Sequence, residues 1–260
     1  MRAVQDMLNR TVSVTDAPKR IISLVPSQTE LLADLGLDEE VVGITKFCVH
    51  PKHWFRTKTR IGGTKTVHID RVEALQPDLI IANKEENVRE QIEALEHIAP
   101  VWVSDVNNLD DALYMIRKVA LICGKSSTGN EMAKRIETSF ASLVQLGKSY
   151  KTAYAIWKDP WMWAGGDTFI HDILQRCGLE NVFSKIDRYP EADPAQLKKL
   201  NPEVVLLSSE PYPFKEKHVQ EIRSVLPNAK IHLVDGEYFS WYGSRLLHAS
   251  EYLSALLKSL

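Results

Sequence analysis

Long hydrophobic runs, paired cysteines and an excess of either charge are all missing from this chain of 260 residues. No stretch approaches the about 18 apolar residues that a membrane-spanning helix needs. The three cysteines, Cys48, Cys123 and Cys177, stand far apart with no CxxC pair. That pattern excludes a disulfide framework and a zinc knuckle, and reads as reduced thiols. A net charge of −2 gives no whole-molecule attraction to nucleic acid or to an anionic membrane. Residues 1–16 carry polar and charged side chains at short intervals and lack an apolar core, so no signal peptide is expected. The protein is then expected either to stay in the cytoplasm or to be a trimmed form. Catalytic signatures are also missing: no GxSxG elbow, no GxxxxGK[ST] phosphate loop, no GxGxxG after a strand and no HExxH.

What is present is a soluble globular composition, 44% apolar and 25% charged, with a duplicated pattern. Ala74-Leu75-Gln76-Pro77-Asp78-Leu79-Ile80-Ile81 is echoed by Lys199-Leu200-Asn201-Pro202-Glu203-Val204-Val205-Leu206. Each reads as a helix end, a proline break that makes the preceding residue extended, an acidic residue and a strand buried on both faces. Leu35-Gly36-Leu37-Asp38 and Cys177-Gly178-Leu179-Glu180 form a second pair of echoes, each closing a helix. Strands alternate with helices in both halves, which predicts an α/β fold of two Rossmann-like lobes with mostly parallel sheets. Ligands of such folds favour clefts, here one between the lobes.

Ser27 with Glu30, and Thr128 with Glu131, have capping-box spacing and predict helix starts. After Thr128 the residues Met132, Ile136, Phe140, Leu143 and Val144 fall on one helical stripe, with no proline before Tyr150. The spacing predicts a single long backbone helix of about 30 Å joining the lobes. The expected division is an N-terminal lobe over 1–124, a backbone helix over 125–150 and a C-terminal lobe over 151–260.

Two loops after strands of the second half are rich in rings. Trp157, Trp161 and Trp163 lie in one, and Tyr238, Phe239, Trp241 and Tyr242 in the other. The carboxyl edge of a parallel sheet is where ligands bind, so these rings are candidates to grip a flat or bulky organic molecule, with interior packing as the alternative. In the first half, Lys46 to Arg71 carries Lys46, Lys52, Arg56, Lys58, Arg60, Lys65 and Arg71 against one carboxylate, Asp70. Residues 46–68 are expected to be irregular, with a short helix from about Ile69 to Leu75, and the basic segment is expected to attract acidic groups. Phe47 and His50 follow a strand end and are placed to touch a ligand, and His50 is a candidate to meet a metal carried within it. Gly165-Gly166-Asp167-Thr168 is a weak candidate for anion binding at a helix start. No pair of carboxylates stands out as an acid/base couple, and no resident cofactor, metal or enzyme activity is expected.

Pro18-Lys19-Arg20-Ile21-Ile22-Ser23-Leu24-Val25-Pro26-Ser27-Gln28-Thr29-Glu30-Leu31 resembles the opening of class III ABC-importer substrate-binding proteins. Gln5 to Arg10 is similar to a strand of their first hairpin, and Leu75 to Ile80 to their "KPDLV" strand. The helix from Thr128 is similar to their backbone helix, and Gly166 through Phe183 to a helix of their second lobe. The family's ligands are cobalamin, haem, ferric siderophores or metal ions, and the cobalamin-binding branch is the most similar. The resemblance implies ligand contacts from Phe47, Trp157, Trp163, Tyr189, Tyr238 and Phe239, while Thr64 and Asn83 stand where that branch often has tryptophans. Trp161, Trp241, His50 and Arg245 complete the candidate set. The resemblance also implies docking to a membrane permease through a surface glutamate of each lobe, Glu86 or Glu90 and Glu210 or Glu216. It implies a periplasmic monomer that carries a cobalamin-like corrinoid, a ferric siderophore or haem. Two alternatives stay open: a cytoplasmic corrinoid carrier or sensor, and a metallo-site enzyme using Cys48, His50, His53 and His68.

Overall fold

The computed structural model of the chain describes residues 1–143 and 147–260. It divides into two units. Unit 1 comprises Met1–Val106, Asp110–Glu137 and Tyr242–Arg245, and unit 2 comprises Asn107–Leu109, Thr138–Trp241 and Leu246–Leu260.

Unit 1 opens with an antiparallel hairpin, β1 (Arg2–Gln5) and β2 (Thr11–Val14). Gln5 to Arg10, expected as strand, is instead largely the turn. Buried Asp6 shapes it by accepting the Leu8 and Arg10 backbone N–H groups, both at 2.9 Å, and Arg10 Nε at 2.7 Å. The elements that follow are β3 (Ile21–Ser23), α1 (Pro26–Asp34), β4 (Val41–Ile44), α2 (Lys52–Thr57), β5 (Thr59–Arg60), α3 (Ile69–Ala74), β6 (Leu79–Asn83), α4 (Arg89–Leu95), β7 (Val101–Ser104), α5 (Leu109–Ile122) and α6 (Ser126–Ala141). The five strands from β3 to β7 form a parallel sheet in the order β5-β4-β3-β6-β7. The segment expected to be irregular thus contains α2 and β5.

Unit 2 is built from β8 (Tyr150–Trp157), β9 (Met162–Trp163), α7 (Phe169–Arg176), β10 (Leu179–Asn181), α8 (Pro194–Leu200), β11 (Val204–Ser208), α9 (Glu216–Val225), β12 (Lys230–Val234), α10 (Glu237–Ser240) and α11 (Leu246–Ser259). Its parallel strands run β10-β8-β11-β12, and β9 folds back antiparallel on β8. The alternating pattern therefore gives the expected α/β class.

The duplicated proline motif has one role in both units. All five residues of β6 and of β11 are buried, as the apolar runs require. The Asp78 carboxylate accepts the backbone N–H groups of Lys19 and Arg20, at 2.7 and 2.8 Å, just before β3 begins. Glu203 accepts the Lys151 N–H at 3.1 Å near the start of β8, and Lys148 Nζ at 2.8 Å. One expectation fails: the residues before the prolines are not extended. Gln76 and Asn201 have φ of 45° and 49°, the left-handed conformation that ends a helix. Stopping the helix outweighs the ordinary pre-proline preference.

Both expected capping boxes are also corrected. Pro26 occupies the first turn of α1, so the helix begins before Ser27 and Val25 is the N-cap. Thr128 lies within α6, which begins at Ser126. The rod expected to reach Tyr150 ends at Ala141, where Ser142 folds back on the Ser139 carbonyl through its N–H (3.3 Å) and its hydroxyl (2.9 Å). Val144 of the expected stripe lies outside the described residues. The division between the units falls within α6, after Glu137.

Gly129 of α6 sits directly against Ala120 of α5, where any added Cβ would collide with the alanine methyl. In unit 2 the core includes a stack of rings. Phe214 and Trp161 stack with centroids 5.3 Å apart, Trp161 and Trp163 at 5.6 Å, and Trp163 and Phe183 at 5.8 Å. Trp163 is fully buried and donates Nε1–H to the Ala192 carbonyl at 2.8 Å. All three cysteines are buried and free. Burial pushes the Cys48 thiol up to about 11 and those of Cys123 and Cys177 up to about 12. Among the described residues, no helix is long and apolar enough to cross a membrane.

Two stability measurements follow from this packing. Trp163→Ala, which empties the centre of the ring stack, is expected to lower the unfolding free energy by about 3–5 kcal/mol in urea denaturation. Gly129→Val is expected to cost about 1–3 kcal/mol by forcing α5 and α6 apart, read by the same method.

Candidate functional site

In each unit the parallel strands deliver their following loops to the carboxyl edge of the sheet, and the candidate residues are concentrated there. The unit 1 edge is built on buried polar groups. Asn83 and Ser104 end β6 and β7. Asn83 donates Nδ2–H to the Ser104 hydroxyl at 3.0 Å, and Gln28 of α1 donates to the same hydroxyl. Asn87 accepts the Asn83 N–H at 2.9 Å and donates to the Thr64 carbonyl at 3.0 Å. The network joins α1, β6, β7 and the loop at Thr64. The sequence shows a signal for it, a polar residue closing each of two apolar strands.

The loop after β4 is fixed by a second buried cluster. The Thr29 hydroxyl contacts the Cys48 sulfur at 3.0 Å, and the Thr45 hydroxyl lies 3.1 Å from the same sulfur. With Cys48 held inside, Phe47 projects outward and is 50% exposed. Lys46 Nζ lies 5.0 Å from the Phe47 ring centroid, within cation–π range. The basic run is not a uniform charged wall: Lys58, Arg60, Lys65 and Arg71 each donate to a backbone carbonyl. His50 is half-buried. Two of the four residues considered as metal ligands are engaged with other partners. Cys48 sits between two threonines, and His53 pairs with Asp38 at 3.1 Å. Among the described residues, no group of three or more His, Cys, Asp or Glu is gathered to hold a metal ion.

Arg245 does not stand open to a ligand. Its guanidinium forks onto Glu30, at 3.0 Å from Nε and 2.6 Å from Nη2. Burial pushes the Glu30 carboxyl up, and Arg245 offsets this in part. Glu30, expected to close a capping box, is committed to this pair. Its neighbour Tyr242 donates its hydroxyl to Glu86 at 3.1 Å. Gly243 between them presses on the Ser27 carbonyl, which leaves no room for a side chain.

In unit 2 the aromatic residues separate into two groups. Trp161 and Trp163 belong to the core stack, and Phe239 is fully buried against Tyr154 at 5.0 Å. Trp241 is buried as well. Ligand contact expected from these four gives way to packing, because each has ring or hydrogen-bond partners inside the unit. Trp157, by contrast, is 40% exposed and rests edge-on against Tyr212 at 5.6 Å. Tyr238 is half-buried and stacks on Tyr252 at 4.4 Å. Tyr189 is half-buried beneath the Arg188 guanidinium at 5.5 Å. Lys158 bonds both Glu221 carboxylate oxygens at 2.7 Å and lies 4.6 Å from the Trp161 ring centroid, which secures the turn after Trp157.

The four docking glutamates also differ. Glu90 and Glu216 are exposed in the first turns of α4 and α9. Glu86 is half-buried and accepts from Tyr242. Glu210 is half-buried, and its Oε1 accepts Trp241 Nε1–H and lies within bonding distance of the Ser240 hydroxyl, both at 2.8 Å. Burial pushes the Glu210 carboxyl above its ordinary range, with the Ser240 contact opposing the shift. The expectation of a surface glutamate is therefore corrected for Glu86 and Glu210.

Known proteins share this architecture. The vitamin B12-binding protein of Pectobacterium carotovorum subsp. carotovorum (strain PC1) is 25% identical over 254 residues, spanning 94% of this chain and 90% of that protein. An uncharacterized ABC transporter substrate-binding lipoprotein, YvrC, of Bacillus subtilis (strain 168) is 24% identical over 269 residues, spanning 96% and 83%. The crystal structure of the petrobactin-binding protein YclQ from Bacillus subtilis superposes with a TM-score of 0.80 at 19% identity, covering 99% of this chain and 98% of that one. The sequence profile of the periplasmic binding proteins matches residues 21–225. With that match spanning most of the chain, and with two parallel-sheet units of this topology, the protein belongs to the periplasmic binding protein family.

Proposed function

We propose that this protein is a substrate-binding protein that holds a bulky metal chelate, a cobalamin-like corrinoid or else a ferric siderophore or haem, for delivery to an ABC importer. The observation that carries the reading is the set of ring side chains that keep part of their surface exposed at the carboxyl edges of the sheets. Trp157 and Tyr238 are each backed by another ring, and Phe47 has Lys46 beside it. A ring fixed from behind loses little freedom when a flat ligand covers its open face. Tyr189 with Arg188 adds a polar ring contact.

The family is made of binding proteins, and its members are periplasmic or lipoprotein substrate-binding proteins. Our reading assigns the chain no reaction and places its work on the outer side of a cell membrane. The names of the relatives, a vitamin B12-binding protein and a transporter lipoprotein, support the ligand class and the permease partner. Glu90 and Glu216 are the better docking candidates, since their carboxylates are exposed.

Titration with cyanocobalamin, haemin and a ferric catecholate siderophore is expected to quench tryptophan fluorescence at micromolar concentration with at least one of them. Absence of quenching by all three overturns the reading. Trp157→Ala is expected to weaken binding of that ligand about tenfold, while lowering folding stability by only about 1–2 kcal/mol, because the ring is 40% exposed and its ring partner is Tyr212. Calorimetric titration and urea denaturation of the same variant check the two halves of this expectation.

A further inference from the structure

Three carboxylates act on one short stretch of chain, Ser240 to Arg245. Glu210 faces Ser240 and Trp241, Glu86 accepts from Tyr242, and Glu30 pairs with Arg245. Glu210 is the one of the three that lies in unit 2, at the carboxyl edge of β11. Its Oε1 is 2.8 Å from Trp241 Nε1, whose only hydrogen-bonding capacity is to donate. The Ser240 hydroxyl, also 2.8 Å from Oε1, is 2.9 Å from the Gly236 carbonyl, so its proton bridges the carboxylate and the start of α10. Further contacts fix that start: the Gly236 N–H donates to the Ser209 hydroxyl at 3.0 Å, and the Asp235 N–H to the Tyr252 hydroxyl at 2.7 Å. Tyr252 is also the ring on which Tyr238 stacks. The α10 loop is therefore held at its beginning by Ser209 and Tyr252, and at its end by Glu210.

We propose that Glu210 is a positioning residue for ligand binding: its carboxylate oxygen holds Ser240 and the Trp241 indole, and so keeps Tyr238 at the carboxyl edge of the unit 2 sheet. This rests on the reading that Tyr238 faces the ligand. It gives Glu210 an internal role in place of permease docking. A docking glutamate acts only when the permease is present, whereas a positioning glutamate acts on the isolated protein. The interaction depends on an acceptor oxygen at a set reach and not on charge, so a glutamine serves and a shorter aspartate does not.

The test compares Glu210→Ala, Glu210→Gln and Glu210→Asp in the full chain without a permease. The first readout is the indole N–H resonance of Trp241 in nitrogen-15 labelled protein, assigned by its loss in Trp241→Phe. Glu210→Ala and Glu210→Asp are expected to shift it toward the position of a solvent-exposed indole and to speed its exchange with deuterium, while Glu210→Gln leaves it near its parent position. The second readout is affinity for cyanocobalamin and haemin. It is expected to fall about tenfold for the alanine and aspartate variants, and to stay within about twofold for glutamine. An unmoved indole resonance in Glu210→Ala overturns the proposal, as does unchanged affinity in that variant or an equal loss in Glu210→Gln. If Glu210→Ala does not fold, the aspartate and glutamine variants decide between reach and charge. If the parent protein binds neither probe, the reading of Tyr238 as a ligand contact fails, while the indole resonance still decides whether Glu210 holds Trp241.

Discussion

Parallel strands joined by helical crossovers have no tight turn to set their starting points, so register must come from elsewhere. Here a carboxylate that follows a helix-ending proline supplies it. Asp78 takes two backbone N–H groups immediately before β3, and Glu203 takes one near the start of β8. These bonds tie the first residues of neighbouring strands together at the amino edge of each sheet. The strand lengths then place the opposite edge, where the loops holding Phe47 and Trp157 emerge. The carboxyl edge of each unit's sheet depends on an interaction at its far end.

Aromatic density alone does not mark a binding surface. The loop after β8 packs Trp161 and Trp163 inward between Phe214 and Phe183, with Lys158 over the Trp161 ring and itself held by Glu221. This interior stack anchors the turn that follows Trp157, whose own ring stays 40% exposed. The same pattern recurs after β12, where buried Phe239 and Trp241 follow the part-exposed Tyr238. Ring residues of one loop thus differ in burial, some anchoring the loop from inside and others keeping part of their surface exposed.

Much of the fold was legible because it rests on local patterns. The apolar runs at β6 and β11 and the glycine that follows α1 depend on periodicity and backbone preference. The helix starts at Ser27 and Thr128 were misread because capping boxes are weaker than a proline one residue earlier, or than a helix already begun at Ser126. The candidate site was less legible for a different reason. Arg245 and Glu30 are 215 residues apart, and Trp241 and Glu210 are 31 apart. No periodicity reports such pairs, so Arg245 looked available and Glu210 looked like a surface charge. The buried network of Gln28, Asn83, Asn87 and Ser104 is only partly marked in the sequence, by the polar residues that close β6 and β7, while its tie to Gln28 of α1 spans 76 residues.

The three interior cysteines carry a chemical consequence. With thiols raised to about 11 or 12, the nucleophilic form at neutral pH amounts to about one molecule in ten thousand or fewer. Oxidants and alkylating probes react with that form, and burial denies them access as well. The folded chain is therefore inert to mixed-disulfide formation without having any crosslink of its own. A single cysteine introduced on its surface would be the one site to take a spectroscopic label.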